Sequence, residues 1–217
     1  MSIKRQSIYR GYSVNASKED GYSLCTDIHD KYLDHLEDMT KRHSKVLQTR
    51  FDLHLPQDHS PTLPRNHLST FHSRLAQDIN RKNKMPKEGH IRSTEKLAKT
   101  HDPDPRIILA PEQHDNSPHQ HIHCVVQVNG NAYKNGHDIQ ERAKRQWANI
   151  LKEDYKEGLV DLCNRSGPSS IFIDRNAPTF DEKLNEASYQ ASYLAKERGK
   201  DKRPKGQWRV LSTRIPK

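Results

Sequence analysis

Apolar residues recur along this chain in two rhythms, one close to 3.6 residues and one of two, and the places where the rhythm changes delimit its elements. Over residues 26–43, Ile28, Tyr32, Leu33, Leu36 and Met39 fall at helical spacing, with Asp27 an acidic residue in the first turn. The next segment, KVLQTRFDLHLP at 45–56, changes to period two. Leu47, Thr49, Phe51, Leu53 and Leu55 alternate with Val46, Gln48, Arg50, Asp52 and His54, which predicts a strand with one apolar face. Pro56, Pro61 and Pro64 mark a loop. Asn66 then caps a helix running to about residue 84, with Leu68, Phe71, Leu75 and Ile79 on its apolar side. Residues 85–105, rich in Lys, Gly and Pro, have no clear period and read as a loop with a short helical piece.

Beyond that loop, RIILAPEQ (106–113) and residues 120–129 are both strand-like, and the polar HDNSPH between them suits a turn, so the pair predicts an antiparallel hairpin. Residues 136–155 return to helical spacing through Ile139, Ala143, Trp147, Ile150 and Leu151, with Gly158 a stop before the apolar LVDLC. IFID at 171–174 is a short strand. The last helix spans 179–198, with Thr179 and Glu182 at the spacing of a capping box. Helices and strands interleave, which predicts an α+β class: an antiparallel sheet with helices packed on one side of it. The domain organisation that follows is an N-terminal arm over 1–26, a domain over 27–199 and a basic tail over 200–217.

Composition narrows the function. Apolar residues make up 31% and charged residues 30%, so the core must be lean. The 37 Lys and Arg against 28 Asp and Glu leave a formal net charge of +9, which favours a polyanionic partner, nucleic acid first among them, over a merely solvated basic surface. No run approaches the ~18 apolar residues of a membrane span, and MSIKRQSIYRG lacks the apolar core of a signal peptide, so the expected setting is cytoplasmic. Three widely separated cysteines, Cys25, Cys124 and Cys163, support neither a disulfide framework nor a zinc knuckle.

The chemistry concentrates in two places. In HQHIHCVVQV, His119, His121 and His123 alternate with Ile122, Cys124, Val126 and Val128, so on a strand the imidazoles share one side and the apolar residues face a core. If the hairpin closes, Glu112 on the other arm comes beside the imidazoles and completes a two-nitrogen, one-oxygen set for a divalent ion; left at the edge, it is a solvated carboxylate. A zinc hydrolase built on all three histidines is disfavoured, because alternate positions from 119 to 123 span about 13 Å of strand. In YQASYLAKE, Tyr189, Tyr193 and Lys196 are spaced to share one helix side. Such a stripe serves core packing or, with a cation to help the phenol ionise, nucleophilic catalysis.

These stretches together resemble the inovirus replication-initiator family, the gene-two type proteins of filamentous phages and their prophage relatives, within the HUH endonuclease superfamily. The resemblance is carried by RFDLHLP at Arg50, Glu112 and Gln113, HIHCVV at His121, the Trp147 helix and YQASYLAKE at Tyr189. His121, Ile122 and His123 match the HUH signature, and Tyr189, Tyr193 and Lys196 match the two-tyrosine YxxxYxxK signature. It implies a five-stranded antiparallel sheet with the HUH strand at its centre and the tyrosine helix alongside. It further implies Mg²⁺ or Mn²⁺ held by His121, His123 and a third ligand, Glu112, and a tyrosine that cuts origin DNA, single-stranded or supercoiled, to leave a 5′-phosphotyrosine and a 3′-hydroxyl. Tyr193, with Lys196 three residues on, is expected to cut first, and Tyr189 to serve the second transfer. His119 is then a spare imidazole, and the missing GxxxxGK[ST] phosphate loop assigns unwinding to a host helicase. The competing expectation is a prophage regulator that binds an origin through a degenerate site without cutting.

Overall fold

A computed structural model describes residues 3–4, 6–16, 23–59, 63–81, 101–113, 117, 119–154, 159–164, 167–200 and 206–216. In chain order the elements are β1 (Ile3–Lys4), β2 (Ile8–Tyr9), β3 (Tyr12–Ser13), β4 (Leu24–Cys25), α1 (Thr26–Arg42), β5 (Lys45–Leu53), α2 (Arg65–Arg81), β6 (Arg106–Glu112) and β7 (His121–Asn129). They continue with α3 (His137–Leu151), β8 (Val160–Asp161), β9 (Ser170–Asp174), α4 (Phe180–Ser192), a 3₁₀ turn (Tyr193–Ala195) and β10 (Leu211–Ser212). The class is α+β with an antiparallel sheet, as the interleaved periods predict. Residues 85–100, left ambiguous by the sequence, lie outside the described residues.

The sheet runs in the order β10-β6-β7-β5-β8, and β9 shares the β8 side of β5. Every pairing in it is antiparallel. β6 and β7 form the expected hairpin, in register from Arg106 opposite Gln127 to Glu112 opposite His121. β7 is therefore an inner strand, flanked by β6 and β5.

Helices cover both sides of this sheet, not one. On the first side, Leu47, Phe51, Ile122, Cys124, Val126 and Val128 pack with Leu68, Phe71 and Leu75 of α2 and with Ile139, Ala143 and Trp147 of α3. On the second, Val46, Ile108, Val125, Ile171 and Ile173 pack with Tyr32, Leu33, Leu36 and Met39 of α1 and with Leu184, Ala187 and Ala191 of α4. The physical reason lies in β5. Its supposedly polar side includes Val46 and Gln48, both buried, and Gln48 is satisfied there by Tyr32, Gln127, Gln190 and the carbonyl of Ala187. A hydrogen-bonded glutamine is compatible with a core, so the alternation of β5 does not signal a solvated face.

The ends of the chain also differ from the expected arm and tail. Within 6–16, Val14 and Ala16 are buried against Leu24, Cys25 and Ile28, and the Tyr9 hydroxyl donates to Asp30 on α1. At the other end β10 pairs with β6, and Thr213 is held on four sides. Its N–H donates to the Ile107 carbonyl, its Oγ1 accepts from the Ile107 N–H and contacts His72 of α2, and its carbonyl accepts from His35 of α1. Covering an open strand edge in this way satisfies backbone groups that would otherwise face solvent. The Thr179 side chain makes no capping bond, so no capping box forms at α4.

Candidate metal and tyrosine site

Strand register builds the site. On the second side of the sheet, directly opposed residues form rows across β6, β7 and β5: Ala110, His123 and Asp52 in one, Glu112 and His121 in the next. Opposed side chains in an antiparallel pair lie close enough to touch. At the β6–β7 turn end the apolar rows give way to these polar ones, so the sheet places Glu112, His121 and His123 together without any loop having to reach. One ligand atom from each can be chosen such that all three lie within 4.8 Å of one another.

Glu112 is 4% exposed and His123 1%, which removes the solvated-edge alternative for the carboxylate. His123 sits between two acids: Nδ1 is 2.8 Å from Asp52 Oδ1 and Nε2 is 2.9 Å from Glu112 Oε2. Lys200 Nζ donates to the same Glu112 oxygen at 3.0 Å. The His121 ring meets the His123 ring edge-on at 4.7 Å, and the His54 ring stacks with His121 at 5.9 Å. His119 precedes β7 and contacts the carbonyl of His59 through Nε2 at 3.0 Å, apart from the triad.

Electrostatics sets the charge of these groups. Burial pushes the Glu112 carboxyl upward, but the hydrogen bond to His123 and the Lys200 ammonium outweigh it and lower the pKa to about 2. Asp52 is likewise opposed by burial and is still held well below the ordinary aspartate range by His123 and Arg50. Burial, then the neighbouring His123, lowers His121 to about 4, so its imidazole is neutral at pH 7. Burial lowers the Lys200 ammonium, with Glu112 acting against the shift.

The donor set fits a divalent ion. Two imidazoles and one ionised carboxylate are ligands that such ions accept, and Asp52 on Nδ1 is the outer carboxylate that orients a ligating histidine through its other nitrogen. The 2.9 Å contact between His123 Nε2 and Glu112 needs a shared proton, and a cation can take the place of that proton.

Tyr193 approaches from α4, on the same side of the sheet. α4 stops at Ser192, whose hydroxyl donates to the Tyr189 carbonyl and accepts the Asn15 N–H, and the chain tightens into the 3₁₀ turn. Tyr193 thereby turns its ring edge-on to His123, with centroids 5.1 Å apart. In a 3₁₀ turn side chains three apart eclipse, and Lys196 Nζ accordingly lies over the Tyr193 ring, 3.6 Å from its centroid. The Arg50 guanidinium is 4.2 Å from the same centroid. The continuous helix to residue 198 is thus corrected, and the turn places the Lys196 charge over the Tyr193 ring. Tyr189 remains on α4 and is 49% exposed.

Four residues of this site escaped sequence reasoning. Asp52, Arg50 and His54 carried a signal, since they alternate on β5 on the side opposite Phe51 and Leu53, but nothing in the pattern says that β5 pairs with β7. Lys200 carried none. Composition places it in a basic tail, whereas it is fully buried, and Gly199 at φ +78 lies so close that a Cβ there would come within 2.7 Å of Glu112.

Residues 5–207 match the family model described as the YagK/YfjJ C-terminal domain. No curated protein and no solved structure matches the chain.

Proposed function

The chain belongs to the YagK/YfjJ C-terminal domain family, and from that premise and the site geometry we propose that it nicks and rejoins single-stranded DNA at a replication origin, as an HUH-type initiator related to the inovirus gene-two proteins. One observation carries the reading: a tyrosine flanked by two cations sits 5.1 Å, ring to ring, from a histidine of a Glu112–His121–His123 ligand set. Core packing alone does not explain two buried acids converging on His123.

In this reading the Tyr193 oxygen attacks the scissile phosphorus, an O–P bond forms, and the bond from phosphorus to the 3′-oxygen breaks. The phenolic proton passes to solvent, and the departing 3′-oxygen takes one up. Lys196 and Arg50 favour the phenolate by placing positive charge at its ring. Asp52 fixes the His123 ring and Lys200 holds Glu112, so the set needs little rearrangement. His121, His123 and Glu112 would hold Mg²⁺ or Mn²⁺, which when bound supplies Lewis-acid polarisation of a phosphate oxygen. Attack of the 3′-hydroxyl on the phosphotyrosine restores the strand.

The test is incubation with single-stranded and supercoiled DNA, with and without Mn²⁺, followed by detection of protein joined to a 5′ end. Tyr193→Phe keeps the ring and removes only the nucleophile, so it should retain fold and DNA binding and lose most of the adduct. Peptide mapping should place the DNA on Tyr193. No adduct with Mn²⁺ overturns the nickase and leaves the non-cleaving DNA-binding protein in its place.

A further inference from the structure

Beside Tyr193, between the loop after β8, the start of β9 and the last turns of α4, lies a cavity of about 300 Å³ whose lining includes Asn15, Arg50, Asp161, Gln190, Tyr189 and Tyr193. That volume is at the small end of the range for ligand sites, roughly 300–1,000 Å³, and admits one flat ring system rather than a duplex. Its walls are set. Gln190 donates to the Pro168 carbonyl and accepts from Gln48, and Asp161 accepts the Cys163 N–H. Arg50 adds its guanidinium, 4.2 Å from the Tyr193 ring centroid, to that lining.

Tyr189 stands on the rim. Together with Ile8 and Trp208 it is one of three large apolar side chains exposed among the described residues. An exposed phenol ring at the mouth of a cavity with both apolar and polar lining, one helical turn from a nucleophile, has the features of a stacking platform: every base has a π-face, and stacking on an aromatic tolerates any sequence. The two tyrosines also differ in setting. Tyr193 is half-buried against His123 and two cations, whereas Tyr189 faces the cavity and solvent.

We infer that the cavity takes one unstacked nucleobase of the single strand, next to the phosphate that Tyr193 attacks, and that Tyr189 is the platform for that base rather than a second nucleophile. The inference rests on the nickase reading for its substrate. It assigns Tyr189 a ring-dependent, hydroxyl-independent role, and because a base held this way must be unpaired and unstacked, it favours single strands over intact duplex.

The experiment measures anisotropy of labelled DNA in EDTA, using oligothymidylate of about 20 nucleotides, long enough for the usual site sizes, and an abasic chain of equal length. Tyr189→Ala should weaken binding to oligothymidylate about ten-fold, the abasic chain should bind parent and variant alike, and the conservative Tyr189→Phe should rescue the loss. Equal losses in the Ala and Phe variants, a loss shared by the abasic chain, or no loss at all would each overturn the platform. In the adduct assay with Mn²⁺, Tyr189→Phe continuing past the first transfer supports the platform, and its arrest after one transfer makes Tyr189 a nucleophile and overturns it. A base-dependent loss without any adduct from the parent would support the subsite and overturn the nickase alone.

Discussion

Asp52 never faces the expected ligands as a ligand itself, yet the geometry makes His123 depend on it. With Nδ1 held at 2.8 Å by an ionised carboxylate, the imidazole keeps its Nδ1 proton and one ring orientation, and Nε2, aimed at Glu112, is the nitrogen left to bind a cation in place of its proton. Removing such an outer partner typically costs about 10–100-fold in metal affinity or activity. Asp52→Ala should therefore weaken Mn²⁺ binding by that order, read by calorimetry on the purified protein, while Arg50→Ala, which leaves the Asp52–His123 contact in place, should spare Mn²⁺ affinity and act on adduct formation. Unaltered Mn²⁺ affinity in Asp52→Ala would mean that His123 is not a ligand.

At the scale of elements, the C-terminal strand is the join most open to test. Thr213 links β6 to α1 and α2 through its backbone and hydroxyl, all within a segment that composition alone reads as a solvated tail. Thr213→Val keeps the shape and removes the hydroxyl, leaving the Ile107 N–H and the His72 ring without their acceptor or partner. A partly buried N–H left unsatisfied costs about 1–3 kcal/mol, so the urea midpoint should fall by a corresponding amount. A midpoint equal to the parent's would show that water replaces the hydroxyl without loss and that β10 contributes little to closing the β6 edge.

For the whole molecule, two pH- and salt-dependent behaviours follow. Burial, with Arg10 adding to it, lowers the pKa of His29 to about 3; burial, partly offset by the bond to Thr213, lowers that of His35 to about 4. Both are neutral in the fold, and in the unfolded chain they take up protons near pH 6.5. Below that pH the unfolded state binds more protons, so stability is full above about 6.5 and falls as pH drops, to about 4 for His35 and to about 3 for His29. The carboxylates of Asp52 and Glu112, with depressed values, are lost at lower pH still. Thermal melting between pH 7.5 and 4 should show a decline that begins near 6.5; a flat profile to pH 4.5 would contradict buried neutral histidines. The formal net charge of +9 predicts that DNA affinity drops steeply with salt, because each neutralised phosphate releases counterion. Salt-independent affinity would argue against a nucleic-acid partner.

Much of this protein was legible one residue after another. Periods of 3.6 and two are local properties of the chain, so α1, α2, α3, β5 and the β6–β7 hairpin could be read from Ile28 to Met39, Leu68 to Ile79 and the alternation around Phe51 and Ile122. The hairpin is local too, and it already brings Glu112 opposite His121. What only the tertiary structure decided is which distant segments share that row. Asp52 reaches His123 because β5 pairs with β7 across 71 residues of sequence, and Lys200 reaches Glu112 across 88. No periodicity encodes such partners, since a buried lysine and a solvated one look alike until a carboxylate is folded against it. The end of α4 is settled in the same way: Ser192 bonding to Tyr189 and Asn15, not helix propensity, tightens the chain and turns Tyr193 toward His123.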